Sequence, residues 1–380
     1  MQYRRFGQTN LYLSVFSLGT MRYLDSQETA TATIRYALEK GVNHLETARG
    51  YGKSEVYLGT ALTELLGTGD RGISRENIYI TSKLPNSLNA SEFDRAIDES
   101  LERLQVDYLD GLALHGLNTE EQFNTVVSNG CIEVAQNAIQ DGRIRHLGFS
   151  THGSLELILK LIDTDLFEFV SLHYYYFFQR HAAAIARAYE RDLGIFIISP
   201  ADKGGRLYTP PSELKALTDP FSPLELNYRF LLSDPRITTL SIGAAKPEEL
   251  DWPLNFGDRV ESLTAEEREV LAELKNHARS VLGPTQCSQC YECLPCPENI
   301  HIPEVLRLRN LAVAYQMVDY GQYRYRMFEN AGHWFPGMKG NRCTDCGECL
   351  PRCPEELDIP TLLRDTHDRL KGKSGRRLWE

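Results

Sequence analysis

Residues 287–297 read CSQCYECLPCP and residues 343–354 read CTDCGECLPRCP. Each run carries four cysteines and ends in Cys-Pro, at Cys296-Pro297 and Cys353-Pro354. The second is C-x2-C-x2-C-x3-C-P, a spacing that holds a cubane iron–sulfur cluster. The first begins identically, and its last gap is one residue shorter. Soft, anionic thiolates suit iron and sulfide. Two other readings compete. A disulfide framework needs export, and residues 1–30 show no basic segment followed by a long apolar run. Structural zinc also uses C-x2-C pairs, but as two separated pairs. Two dense quartets, each ending in Cys-Pro, fit zinc poorly. Cys131 stands apart and reads as a small packed residue.

Outward from the cysteines, Ile302-Pro303-Glu304 opens a helical run through Val305, Leu306, Leu308, Leu311, Ala312 and Tyr315, with proline in the first turn. Ile359-Pro360 opens another through Leu362, Leu363 and His367. The tail is thus a near-repeat of cysteine run, Cys-Pro, Ile-Pro and helix. In spacing it resembles the α-helical ferredoxin modules of multi-centre redox enzymes. In two-cluster ferredoxins the fourth ligand of each cluster comes from the other run. That resemblance implies two [4Fe-4S] clusters, one on Cys287, Cys290, Cys293 and Cys353, the other on Cys343, Cys346, Cys349 and Cys296.

A chain of 380 residues holds one large domain plus a small one. Its net charge of −11 argues against nucleic acid or an anionic membrane as main partner. No apolar run is long enough to span a bilayer; the best, Leu193 to Ile198, is strand-sized. The basic tip, Lys371, Lys373, Arg376 and Arg377, reads as a solvated terminus. Free cysteines without a targeting signal imply a reducing compartment, the cytoplasm. Cysteine is nearly absent before residue 287, and Gly283-Pro284 follows a last helix, so the domains are cut as 1–283 and 284–380.

The first domain alternates apolar runs with amphipathic helices. Strands are expected at Val15–Gly19, Asn43–Thr47, Ile78–Lys83, Gly111–His115, His146–Ser150, Phe169–His173, Gly194–Ser199 and Thr239–Gly243. Between them, Ala30, Ile34, Ala37 and Leu38 share one helical face. Phe93, Ala96, Ile97, Leu101 and Leu104 share another, with Ser91 as N-cap. A capping box at Thr264-x-x-Glu267 starts the last helix. Eight such alternations predict an α/β fold, a (β/α)8 TIM barrel, followed by the small, mostly α-helical dicluster domain. An open doubly wound sheet is the alternative, but no Gly-x-Gly-x-x-Gly follows the first strand.

Barrel chemistry sits at the C-terminal strand ends. Glu46, Lys83, His115, Ser150 and His173 lie there, with Tyr51 just beyond the second strand. A tyrosine can protonate a developing alkoxide, a nearby ammonium lowers its pKa, a carboxylate holds the ammonium, and a neutral histidine orients a carbonyl. These residues fall within motifs that resemble the aldo-keto reductase family, in the subgroup with a C-terminal two-cluster domain. The motifs run from Tyr3-Arg4-Arg5-Phe6-Gly7 through Leu18-Gly19-Thr20-Met21, Glu46-Thr47-Ala48-Arg49-Gly50-Tyr51-Gly52-Lys53-Ser54-Glu55, Thr81-Ser82-Lys83 and Leu114-His115 to Gly148-Phe149-Ser150 and Ser199-Pro200.

The resemblance implies Tyr51 as general acid, Lys83 as its partner, His115 as orienting residue and Glu46 in a place normally held by aspartate. It also implies NADPH or NADH, since no side chain supplies hydride. Contacts would come from Ser150 and Thr151 after strand five, Ser199, Lys203 and Gly204 after strand seven, and Gly243, Ala244 and Lys246 after strand eight. Ser150-Thr151 replaces the usual Ser-Asn, Ile198 replaces an aromatic residue, and Trp252-Pro253 replaces an acidic-Asn pair. The expected activity is reduction of a small aldehyde or ketone, with a redox protein as a further partner of the clusters. Substrate choice is assigned to the loops Leu117–Asn129 and Leu207–Pro223. The alternative is a catalytically silent barrel acting as redox sensor or electron-transfer scaffold.

Overall fold

A computed structural model describes residues 1–23, 26–67 and 74–372. Lys373, Arg376 and Arg377 of the basic tip lie outside the described residues; Lys371 pairs with Asp368 at 2.8 Å. The chain divides into two compact units. One comprises Met1–Gly204 with Asn227–Ser262, the other Gly205–Leu226 with Leu263–Glu380. The helix Ala265–Leu282 belongs to the second unit, so compactness divides the chain earlier than cysteine content does.

In the first unit all eight strands expected from the sequence form, and they close into a parallel barrel. They are Phe16–Gly19, His44–Glu46, Tyr79–Pro85, Leu109–His115, Ile144–Ser150, Phe169–Leu172, Gly194–Ile197 and Thr239–Ile242. The last pairs with the first, Leu240 opposite Phe16, so the sheet has no edge and the open-sheet alternative is set aside. Register aligns the functional ends: Glu46 is opposite Thr81, Lys83 opposite Ala113, Pro85 opposite His115, and Ser150 opposite Ser171.

The sequence reading missed an antiparallel hairpin, Tyr3–Arg5 with Tyr12–Ser14. From it, Phe6 and Leu13 pack against Phe169, Phe196 and Ala113. Small residues make room for these rings. A Cβ on Gly194 would sit 2.3 Å from the Phe6 ring, and one on Gly148 would sit 2.5 Å from Phe169. A second correction concerns the helix Ala90–Leu104. Its N-cap is Asn89, in a capping box with Glu92, and Ser91 lies within the first turn. The capping box at Thr264 and Glu267 forms as expected. Leu117–Asn129 contains a helix, Glu120–Ser128, capped by Thr119.

Above that floor lies a buried polar layer. Ser17 Oγ is 2.6 Å from His44 Nδ1 and 2.7 Å from Thr239 Oγ1, and His44 Nε2 is 2.9 Å from Thr81 Oγ1. Burial, aided by the Lys83 charge, pushes the His44 pKa down to about 3. Its unfolded counterpart titrates near 6.5. Below that pH the unfolded chain binds a proton that the folded chain refuses, so stability falls as pH drops from about 6.5 toward 3. Urea unfolding between pH 7 and 4 should therefore show a steeper pH slope in the parent than in His44→Asn. The difference should approach one proton, about 1.4 kcal/mol per pH unit.

The second unit packs the helices Ser212–Thr218, Ala265–Leu282, Ile302–Tyr315, Val318–Tyr325 and Ile359–Leu370. Leu207–Pro223, expected to be a substrate loop, lies here. A Cβ on Gly205 would meet Met317 at 2.7 Å, and the Arg206 guanidinium lies 5.3 Å from the Tyr323 ring centroid. Among the described residues no helix is long and apolar enough to cross a membrane.

Candidate active site and cysteine cavities

The loop carrying Tyr51 is fixed by hydroxyl groups of its own motif. Thr47 Oγ1 lies 2.8 Å from Ser54 Oγ, which also bonds Thr20 Oγ1 at 2.5 Å; all three residues are buried. Glu55, opening the helix Ser54–Gly67, accepts from Ser82 Oγ at 2.6 Å and from Arg103 at 3.1 Å. Backbone pairing continues past the second strand: Thr47 N–H donates to Thr81 O and Arg49 N–H to Lys83 O. Tyr51 is thereby held over the third strand.

Lys83 and Glu46 are both buried and in direct ion-pair contact. Lys83 Nζ also donates to Thr47 O at 2.7 Å and lies 4.7 Å from the Tyr51 ring centroid. The Tyr51 and His115 rings meet edge-to-face, with centroids 5.6 Å apart. Tyr51, Lys83, His115 and Glu46 are therefore brought together. An ammonium in such a place needs its carboxylate. Burial pushes Lys83 below the usual lysine range, and the Glu46 contact opposes that.

Burial pushes His115 down to about 3, with the charges of Lys83 and Lys203 adding to the effect, so it is a neutral imidazole. The Tyr51 phenol differs from the sequence expectation. Burial raises it to about 12. The ammonium lies over its ring and spends its hydrogen bonds on Glu46 and Thr47, so desolvation outweighs the lysine.

The expected nucleotide contacts are spread over three strand ends. Ser150 Oγ accepts from Gly116 N–H at 3.0 Å, and Thr151 Oγ1 donates to Leu117 O at 2.6 Å. Both hydroxyls tie the end of strand five to the loop after strand four. After strand seven, Ser199 adopts a left-handed φ of 53°, and Lys203 N–H donates to Ser199 O at 3.0 Å. Gly204 is required there, since a Cβ would lie 2.0 Å from Pro200 O. After strand eight, Gly243 and Lys246 are exposed and Ala244 is buried. Here Glu249 accepts from Ala245 N–H at 3.0 Å and pairs with Arg22 at 2.7 Å, while Arg22 also donates to Gly243 O at 2.8 Å. A carboxylate thus holds an amide of the loop expected to meet the nucleotide. The strand-eight loop is braced by side chains of this chain.

A hydrogen-bonded chain was missed. Tyr175 Oη donates to Ile198 O and meets His173 Nδ1, whose Nε2 is 2.9 Å from His152 Nδ1. The sequence signal was three aromatic or imidazole side chains after neighbouring strands, visible only once strand order is known.

In the second unit, Cys287, Cys290, Cys293 and Cys353 line one cavity, walled by Pro303, Leu306, Leu357 and Ile359. Cys296, Cys343, Cys346 and Cys349 line another, walled by Ile302, Pro360 and Leu363. The two runs turn alike. Gln289 and Tyr291 match Asp345 and Gly347 in left-handed φ, and Asn299 matches Glu356. Burial pushes the Cys287 thiol up to about 11 and Cys293 up to about 12, with neighbouring cysteines adding to both. Among the described residues no three His, Cys, Asp or Glu side chains are grouped as a single ion would need. Four soft sulfurs spread around a largely apolar cavity fit a multi-iron group better than one zinc ion.

An aldo/keto reductase family model matches residues 16–207, just over half of the chain, and a 4Fe-4S dicluster domain model matches residues 286–357. Glyoxal reductase of Bacillus subtilis is 31% identical over 147 residues, 38% of this chain and 48% of that protein. Aldo-keto reductase family 1 member A1 of Xenopus tropicalis is 34% identical over 108 residues, 28% of this chain and 32% of that one. This chain therefore spans from about a third to about half the length of these two relatives. A solved aldo-keto reductase of Bacillus halodurans, in its holo form, superposes with a TM-score of 0.61 at 23% identity, covering 72% of this chain and 96% of that one; the likeness is one of fold.

Replacing Lys83 by Met strands the Glu46 carboxylate in the barrel. Chemical denaturation should show a loss of about 3–5 kcal/mol for Lys83→Met, largely recovered in Lys83→Met/Glu46→Leu, where no charge is left unpaired.

Proposed function

This chain belongs to the aldo/keto reductase family, and from that premise we propose that it reduces a small aldehyde or ketone with a nicotinamide nucleotide, NADPH or NADH, while its eight C-terminal cysteines hold two [4Fe-4S] clusters for electron transfer. The observation that carries the barrel part is the buried Lys83–Glu46 pair beneath Tyr51 and beside neutral His115. A bound nicotinamide supplies hydride. The side chains do the rest. His115 donates a hydrogen bond to the carbonyl oxygen and orients it. Tyr51 gives that oxygen its phenolic proton as negative charge develops there. A phenol near 12 remains protonated until an alkoxide, a stronger base, forms beside it. Lys83 then faces the phenolate, and Glu46 keeps Lys83 charged and in place. The clusters exchange single electrons, so their partner is a redox protein or a carrier able to divide a hydride.

The bracing of Ala245 by Glu249 favours a second reading, a barrel that binds no nucleotide and serves as a scaffold for electron transfer. Anaerobic titration of cluster-loaded protein with NADPH and NADH, followed by nicotinamide fluorescence, decides between them. Saturable binding supports the reductase; no binding of either nucleotide by folded protein overturns it. Tyr51→Phe should lower aldehyde turnover about 10²–10⁴-fold with nucleotide affinity unchanged. Glu249→Gln removes the carboxylate from Arg22 and should raise affinity for NADPH relative to NADH in the same titration.

A further inference from the structure

The two cysteine runs differ by one residue. Leu294-Pro295 precedes Cys296, whereas Leu350-Pro351-Arg352 precedes Cys353. The extra residue is Arg352. Arg352 lines the cavity of the other group of thiols, the one with Cys296, Cys343, Cys346 and Cys349. There Nε donates to Glu348 O at 2.8 Å and Nη2 to Pro295 O at 3.0 Å. Glu348 precedes Cys349 and Pro295 precedes Cys296, so the guanidinium bridges the backbone beside one cysteine of each run, both lining that cavity. Glu298 lines the same cavity and accepts from Thr344 Oγ1 at 3.1 Å. The other cavity is lined by Glu355, and among the described residues no Lys or Arg lines it.

We propose that Arg352 makes the two cluster sites unequal, so that the site of Cys296, Cys343, Cys346 and Cys349 has the higher reduction potential and is where an electron settles. The proposal rests on the dicluster reading above. A reduced cluster carries one more negative charge than an oxidised one. A fixed cation beside it favours reduction, because net charge around the cluster sets its potential. Arginine suits this role, since its guanidinium does not deprotonate and its planar fork is held by two carbonyls. The Arg352 hydrogen bonds are exposed, so the effect lies between the limits for bulk water and for a near-surface pair, on the order of tenfold in the reduced-to-oxidised ratio, or about 59 mV for one electron.

The experiment is a mediated redox titration of full-length, cluster-loaded protein followed by electron paramagnetic resonance, after iron and acid-labile sulfide have been assayed. Absence of iron and sulfide refutes the dicluster reading itself. With both clusters present, the parent should show two unequal midpoints, and equal midpoints overturn the proposal. Arg352→Gln should lower the higher midpoint by about tenfold in ratio and leave the other unmoved. Arg352→Lys, which keeps the charge, should restore it. A Gln variant with unchanged midpoints, or a Lys variant behaving as Gln does, overturns the proposal. Should Arg352→Gln fail to load, Glu298→Gln supplies the decision. Removing that carboxylate should raise the midpoint that is already higher, and a rise in the lower one overturns the assignment.

Discussion

A closed barrel leaves little water for a charge inside it, so an ammonium on the third strand has to be met by a carboxylate from its neighbour. Lys83 and Glu46 satisfy this demand, and much of the surrounding motif follows from it. The second strand must end where Glu46 faces the third. The loop beyond must keep pairing with that strand to present Thr47 O to the ammonium. The hydroxyls of Thr20, Thr47 and Ser54 then fix the turn that hangs Tyr51 above it. Glutamate, standing where aspartate is usual in the resembling motif, makes the contact directly.

The second unit is governed by a different constraint. Eight thiols must be gathered around two cavities by a chain too short to build a large core there. The fold meets this by repeating itself: the same left-handed positions in each run and the same Ile-Pro helix start. Each of the two cavities draws on both helix starts, Ile302 with Pro360 and Pro303 with Ile359. Gly340 lets the second run approach its helix closely, since a Cβ would fall 2.5 Å from Leu363 O.

The barrel was legible because its strands are short apolar runs at regular spacing, and all eight form and close. The cysteine runs were legible because their spacing is local. What escaped was set by tertiary neighbours. The floor hairpin is only three residues a side, too short for a period to show. Asn89 outcompetes Ser91 because Glu92 can answer it reciprocally, a choice that depends on where the loop enters the helix. The high pKa of Tyr51 depends on how deeply its ring is packed and on where the lysine sends its hydrogen bonds, neither of which sequence spacing records. The nucleotide positions were named from the resemblance and from strand ends, and Glu249, reaching back to Ala245, was invisible at that level.

The segment Gly205–Leu226 is made before the last barrel strand, Thr239–Ile242, yet it packs with Met317, Tyr323 and the helix Ala265–Leu282, all of which are made later. During synthesis this stretch must wait, unpacked, while the barrel closes on either side of it. Its maturation is tied to the arrival of the C-terminal helices that carry the cysteine runs. Where those helices do not settle, a connection between two barrel strands is left without its packing partners, along with the cysteine-rich tail.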